Sequence, residues 1–294
     1  MVEVTCVLDA RAELGESTVW NSKTCELWWI DIYQDKIHRF NPKSKINDSW
    51  STPEHPGCIS FRENEKLILT MVSGFYFFDP QTKEFEKLLD PESDLPTTRF
   101  NDGKTDRQGR FWSGSMFDAD EKEIEFIGGL YRLDHNLTAH KMVSNIACSN
   151  GLAWSPDSTV MYFSDSHSGE VVQYDFDPET GNIDNKRRFI DMSALGGVAD
   201  GATVDSDGCY WVTIPITGKV CRFDPNGVLM QTIHLPTDCP TCCEFGGENL
   251  DTLFVTSATL NRPEKHFVNQ NNPGGLFAIE GTGATGLSLC PFKG

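Results

Sequence analysis

Glu16, Asn101, Asn150 and Asp200 each open a short run with a shared layout: GEST, NDGKTDRQGRFWSGS, NGLAWSPDSTVMYFSDS and DGATVDSDGCYWVT contain them in turn. Each stands about 13 to 15 residues ahead of a polar residue in an aromatic-rich segment, namely Asp31, Ser115, Asp165 and Thr213. Singly, Asn-Asp-Gly, Asn-Gly and Asp-Gly are ordinary turn formers. Agreement at four equivalent places argues that the side chains converge. Two carboxylates and two amide carbonyls gathered at one point repel each other or lack partners, and a divalent cation supplies the compensation. The all-oxygen set suits Ca²⁺, Mg²⁺ or Mn²⁺ and does not exclude Zn²⁺ or Fe²⁺. In two further units the same offset falls near Cys58 and at Cys242 or Cys243. The acids inside TDRQG, SPDS and DSDG read as hairpin-turn residues, and DSDG lacks the alternating acids and closing Glu of an EF-hand loop.

The elements that must carry these residues show in the spacing of six segments rich in Trp, Tyr, Phe, Val and Ile. They are LWWIDI at 27, LILTMV at 67, RFWSGS at 110, MYFSDS at 161, YWVTIP at 210 and LFVTSA at 253. They recur at roughly 45-residue intervals, the length of a propeller blade. Each is followed by a second alternating run ending in turn chemistry, such as KIHRFNPKSK, VVQYDFDPETGNI and KVCRFDPNGVL, so each unit reads as a four-stranded antiparallel sheet. With no linker and no long amphipathic helix, six such sheets close into a ring. The expected fold is all-β, a six-bladed β-propeller forming one domain over residues 1–294. The N-terminal strand VEVTCVLD is expected to join the last blade and remove the free edges. Innermost strands line the central channel of a propeller, which places equivalent residues in a ring about its axis.

Composition narrows the partners. The formal charge of −18 repels phosphate backbones, and no stretch concentrates Lys and Arg with aromatics, so nucleic acid is not an expected partner. No apolar run approaches the ~18 residues of a membrane span. The start MVEVTCVLDARAELGE has neither a basic segment with an apolar run after it nor a transit-peptide bias, and a cytoplasmic location is expected. Ten scattered cysteines without a paired framework fit buried thiols in a reducing compartment. The cluster CPTCC at 239–243 holds one C-x-x-C but no second pair at zinc-finger spacing.

The chain resembles the senescence marker protein (regucalcin), gluconolactonase and luciferin-regenerating enzyme family. The resemblance rests on LGEST at 14–18, RFNDGKTDRQGRFWSGSM at 99–116, SNGLAWSPD at 149–157, ADGATVD at 199–205, and CCEFGG with GGLFAI near the end. It implies a six-bladed propeller that hydrolyses a sugar lactone, an aldonolactone such as gluconolactone, with one divalent metal (Ca, Zn, Mn, Mg or Fe(II)). It also implies Glu16, Asn150 and Asp200 as metal ligands, with Arg99 and Asn101 on the substrate. Asp200 is the candidate catalytic base. One position departs: where some members carry an acidic substrate residue, this chain has Ala119, flanked by Asp118 and Asp120, and Asp118 is the candidate substitute. The acidic stretch FDADEKEIEFI at 117–127 reads as a solvated loop whose place also fits a lid. Two other functions fit the same architecture: a calcium-dependent phosphotriesterase or arylesterase-like propeller, and a non-enzymatic calcium-binding propeller. A serine hydrolase does not fit, because no G-x-S-x-G is present.

Overall fold

Every aromatic segment forms the second strand of a four-stranded antiparallel sheet, and the six sheets form a six-bladed β-propeller. The structure, a computed structural model, describes residues 1–119, 123–260 and 262–294. Blade 1 is built from Gly15–Asn21, Glu26–Asp31, Lys36–Asn41 and Ile46–Ser51. The innermost strands of blades 2 to 6 are Pro56–Phe61, Thr98–Thr105, Ser149–Trp154, Ala202–Val204 and Pro240–Gly246. Blade 6 takes three strands from the C-terminal part of the chain and its outermost strand, Glu3–Leu8, from the N-terminus. There Glu3 faces Glu280 and Val4 faces Ile279. The ring thus closes through a sheet shared by both ends of the chain, as the sequence predicts.

Alternation along the strands buries aromatic and branched side chains between neighbouring blades. Trp112 of blade 3 lies 5.7 Å, centroid to centroid, from Trp154 of blade 4, and Trp211 of blade 5 meets Phe245 of blade 6 edge-on at 5.6 Å. At the closing seam Trp20 of blade 1 stacks on Phe254 of blade 6 at 5.4 Å. The acids in the lower turns have a structural job as expected. The Trp112 indole donates to Asp106 at 3.1 Å, and the Trp211 indole donates to Asp205 at 2.8 Å. Each acid thereby ties a hairpin turn to the interblade core.

Two features shape the channel. Five of the six innermost strands carry a register irregularity near their upper ends, between Glu16 and Val19, Pro56 and Cys58, Phe100 and Gly103, Asn150 and Ala153, and Pro240 and Cys243. A bulge turns consecutive side chains toward the same face and re-aims them. On the lower face the C-terminal segment crosses the hairpin turns: Ser206 N–H donates to Thr285 O (2.7 Å), Phe292 N–H to Phe61 O (2.8 Å) and Lys293 N–H to Gly109 O (3.1 Å). Leu287 to Cys290 cover a small cavity at the foot of the channel. Among the described residues the only helices are two short 3₁₀ turns, Met192–Leu195 and Glu264–Phe267, and none is long and apolar enough to cross a membrane.

Candidate active site

The residues singled out by spacing meet at the upper end of the channel. Glu16 lies on the bulged inner strand of blade 1, Asn101 on blade 3 and Asn150 on blade 4, while Asp200 directly precedes the inner strand of blade 5. Asn101 Nδ2 donates to Ser149 O at 2.9 Å and to Asn150 Oδ1 at 3.3 Å. Asn150 Nδ2 donates to Ser166 Oγ at 2.9 Å, and Ser166 in turn donates to Ala199 O at 2.8 Å, next to Asp200. This chain of bonds spans blades 3 to 5 and turns the Asn150 carbonyl toward the channel.

The polar residues at the ends of the second strands hold the entering loops. Asp31 accepts from the N–H groups of Glu13 (2.9 Å) and Leu14 (3.0 Å), just ahead of Glu16. Asp165 does the same for Ala147 (2.9 Å) and Cys148 (3.1 Å), just ahead of Asn150. Thr213 Oγ1 donates to Gly201 O at 3.1 Å, beside Asp200. Two glycines permit the close fit. Gly151 has φ +71, and a Cβ at Gly201 would come within 2.6 Å of the Cys242 Cα.

Electrostatically the site is strained toward negative charge. Glu16 and Asp200 lie deep in the ring but keep part of their surface open to the channel. Desolvation, followed by the charge of Asp200 and then of Asp102, holds the Glu16 carboxyl well above the usual range. Desolvation and then Asp102 do the same to Asp200. The only hydrogen bond to the Glu16 side chain among the described residues comes from the adjacent Ser17 N–H at 3.1 Å. Two crowded carboxylates, with an amide carbonyl oriented beside them, fit a hard divalent cation. Glu16, Asn150 and Asp200 are the residues that could hold one.

Arg99, 2% exposed, reaches the same point. Its Nη1 donates to Asn101 Oδ1 and to Phe100 O, each at 3.0 Å, and its Nε lies 3.4 Å from the exposed Asp118 carboxylate without a formed hydrogen bond. Asn101 therefore directs its oxygen to Arg99 and its amide nitrogen to Asn150. That orientation separates it from the carbonyl donors and fits a substrate contact. Asp118 stands at the site through Arg99. The acidic stretch at 117–127, read as a solvated loop whose place also fits a lid, falls partly on residues 120–122, outside the described residues.

Asn-Asp-Gly by itself is an ordinary turn former, yet Asp102 is the third acid of this channel. The bulge between Phe100 and Gly103 brings it inward beside Asn101. Its carboxylate accepts from the N–H groups of Gly103 (2.9 Å) and Leu152 (3.3 Å), and its charge acts on both Glu16 and Asp200. A period-two reading points neighbouring residues to opposite faces, so only the bulge could have revealed it. All ten cysteines are free. Burial pushes Cys239 up to about 12, and burial with Asp200 does the same to Cys148. Among the described residues no group of three or more His, Cys, Asp and Glu is placed to hold a metal, the 239–243 cluster included.

The fold agrees with the comparisons to known proteins. A family model described as the SMP-30/Gluconolactonase/LRE-like region matches residues 14–259. The 6-deoxy-6-sulfogluconolactonase of Pseudomonas putida is 36% identical over 275 residues, covering 93% of each chain. Regucalcin of Danio rerio is 33% identical over 100% of this chain and 99% of its own. A solved luciferin-regenerating enzyme superposes with a TM-score of 0.92 at 26% identity, covering 100% of both chains.

Proposed function

The chain belongs to the SMP-30/gluconolactonase/LRE-like family, and we propose that it is a metal-dependent hydrolase of sugar lactones, opening an aldonolactone such as gluconolactone to the aldonic acid. The observation that carries this reading is the meeting of Glu16, Asp200 and the oriented Asn150 carbonyl beside the buried Arg99–Asn101 pair. The lactonase relative, matched over 93% of the chain, supports the substrate class.

Glu16, Asn150 and Asp200 would hold one divalent cation, with calcium, zinc, manganese, magnesium and iron(II) as the candidates. When bound, that ion supplies Lewis acidity toward the lactone carbonyl oxygen. Arg99 and Asn101 bind the sugar hydroxyls or ring oxygen and fix the carbonyl in position. Asp200 accepts a proton from the attacking water as the new carbon–oxygen bond forms. It returns that proton to the ring oxygen as the ester bond breaks, giving a carboxylic acid and a hydroxyl. The free thiols fit a reducing, cytoplasmic setting.

The deciding experiment is metal analysis of the purified protein with a pH-stat screen of five- and six-membered sugar lactones, phenyl acetate and an organophosphate. Hydrolysis of sugar lactones that disappears on chelation and returns with metal is expected. Asp200→Asn should keep part of the metal and lose roughly 100-fold or more in kcat. Near wild-type turnover in that variant would remove Asp200 as the base, and hydrolysis of the organophosphate alone would overturn the lactonase reading.

A further inference from the structure

Below the three acids the channel is crossed by an ion pair to which the proposed reaction assigns no role. Lys104 lies two residues beyond Asp102 on the inner strand of blade 3, so both side chains face the channel. Its Nζ donates to Glu244 Oε2 at 2.8 Å and to Ala202 O at 2.9 Å. Glu244 belongs to blade 6, directly across a six-bladed ring from blade 3, and Ala202 belongs to blade 5. The ammonium therefore lies at the axis. Glu244 is held as firmly, since Thr203 Oγ1 and the Phe245 N–H both donate to its Oε1 at 2.9 Å. The two side chains are 14% and 11% exposed.

A buried pair of this kind seldom repays its desolvation, and well-packed apolar residues would serve stability as well or better. Its position supplies a reason for it. The charge of Lys104 acts on Asp102, two residues back on the same strand, as the charge of Arg99 acts on Glu16. We infer that Lys104, clamped across the axis by Glu244 and Ala202, is a positioning residue that acts as a built-in counter-cation: it holds the acid ring together without metal and sets how tightly that ring takes one.

The inference rests on the metal-site reading above, and its test separates the two. The two partners should act in opposite directions. Lys104→Met removes the positive charge that acts on Asp102 and should tighten calcium binding, measured by titration calorimetry on the whole purified chain, roughly three- to tenfold. Glu244→Gln leaves the ammonium uncompensated and should weaken binding by a similar factor. Lys104→Arg should stay within about twofold of wild type. The Lys104→Met/Glu244→Met double variant avoids an orphaned acid and should still bind calcium more tightly than wild type. Thermal melts in chelator and in excess calcium should show Lys104→Met lowering the chelated protein's midpoint more than the loaded one's. Single variants that both weaken binding, or that shift the chelated and loaded melts equally, would show a packing role only and overturn the inference. A wild type that binds neither calcium nor manganese would overturn the metal reading, and this inference with it.

Discussion

Arg99 shows how a site residue is built at the scale of single atoms. Its guanidinium is buried, spends two bonds of one nitrogen on Phe100 O and Asn101, and leaves its Nε near an exposed acid. Such a fork cannot be replaced by a point charge. Arg99→Lys should therefore raise KM or lower kcat/KM by roughly 10-fold or more, with calcium affinity little changed, as read by steady-state kinetics and calorimetry side by side. Asp118 is 44% exposed, and its ion pair is solvent-screened. Asp118→Asn should change kcat/KM only a few-fold, and a larger loss would show direct substrate contact. Glu16, Asn101, Asn150 and Asp200 were legible because they repeat. Asp102 was not, because its inward turn depends on a bulge, which has no signature in alternating polarity. Lys104 was equally hidden, since its partners stand 98 and 140 residues away.

At the scale of elements, the site depends on acids that touch no ligand. Asp31 and Asp165 occupy the same place in blades 1 and 4 and cap the same pair of backbone N–H groups. Asp165→Ala removes the acceptor of three N–H groups, those of Ala147 and Cys148 and the exposed one of His167. It should cost about 1–3 kcal/mol in chemical denaturation and weaken calcium binding through a misplaced Asn150, whereas a change confined to stability would limit Asp165 to the fold. Blade 1 also holds a buried histidine. His38 stacks on Trp29 at 4.0 Å and accepts at Nδ1 from Asn47 Nδ2 at 3.0 Å. Burial, then Lys36, lowers it to about 4, so the folded state holds it neutral. The unfolded chain takes up that proton first as pH falls below about 6.5. Stability should accordingly be lost between about pH 6.5 and 4, by up to roughly 3 kcal/mol, and His38→Phe should flatten that part of the profile. The strands and hairpin acids were legible from alternation and turn chemistry. The roles of Asp31 and Asp165 emerged only once the upper loops were seen to lie beneath them.

For the whole molecule, the repeat alone was enough to give six blades and their closure, because roughly 45-residue spacing leaves few alternatives. The course of the C-terminal segment across the lower face had no such periodic signal. The acid ring has a global consequence that runs opposite to His38. Glu16 and Asp200 have native values raised above their unfolded ones. Their contribution in chelated protein is thus fully present below the unfolded carboxylate range, about 4, and is lost as pH rises through the native values. Melts in chelator should show stability falling over that rise, less so in Glu16→Gln, while excess calcium should restore it at high pH by compensating the charge of the deprotonated acids. A chelated melt independent of pH in both proteins would contradict these shifts.

The pairing of Glu3–Leu8 with Leu276–Glu280 also bears on how the protein is made. Glu3–Leu8 has no partner until the residues up to Glu280 have followed it out of the ribosome, roughly 15 to 60 s later at ordinary elongation rates. Meanwhile blade 1 is complete in itself but lacks its neighbour across the seam, and Trp20 waits for Phe254. The nascent chain therefore passes through a stage of open, sticky edges that lasts until Leu276–Glu280 is free to pair, and its yield in the cell should depend on chaperones more than the finished ring's stability would indicate.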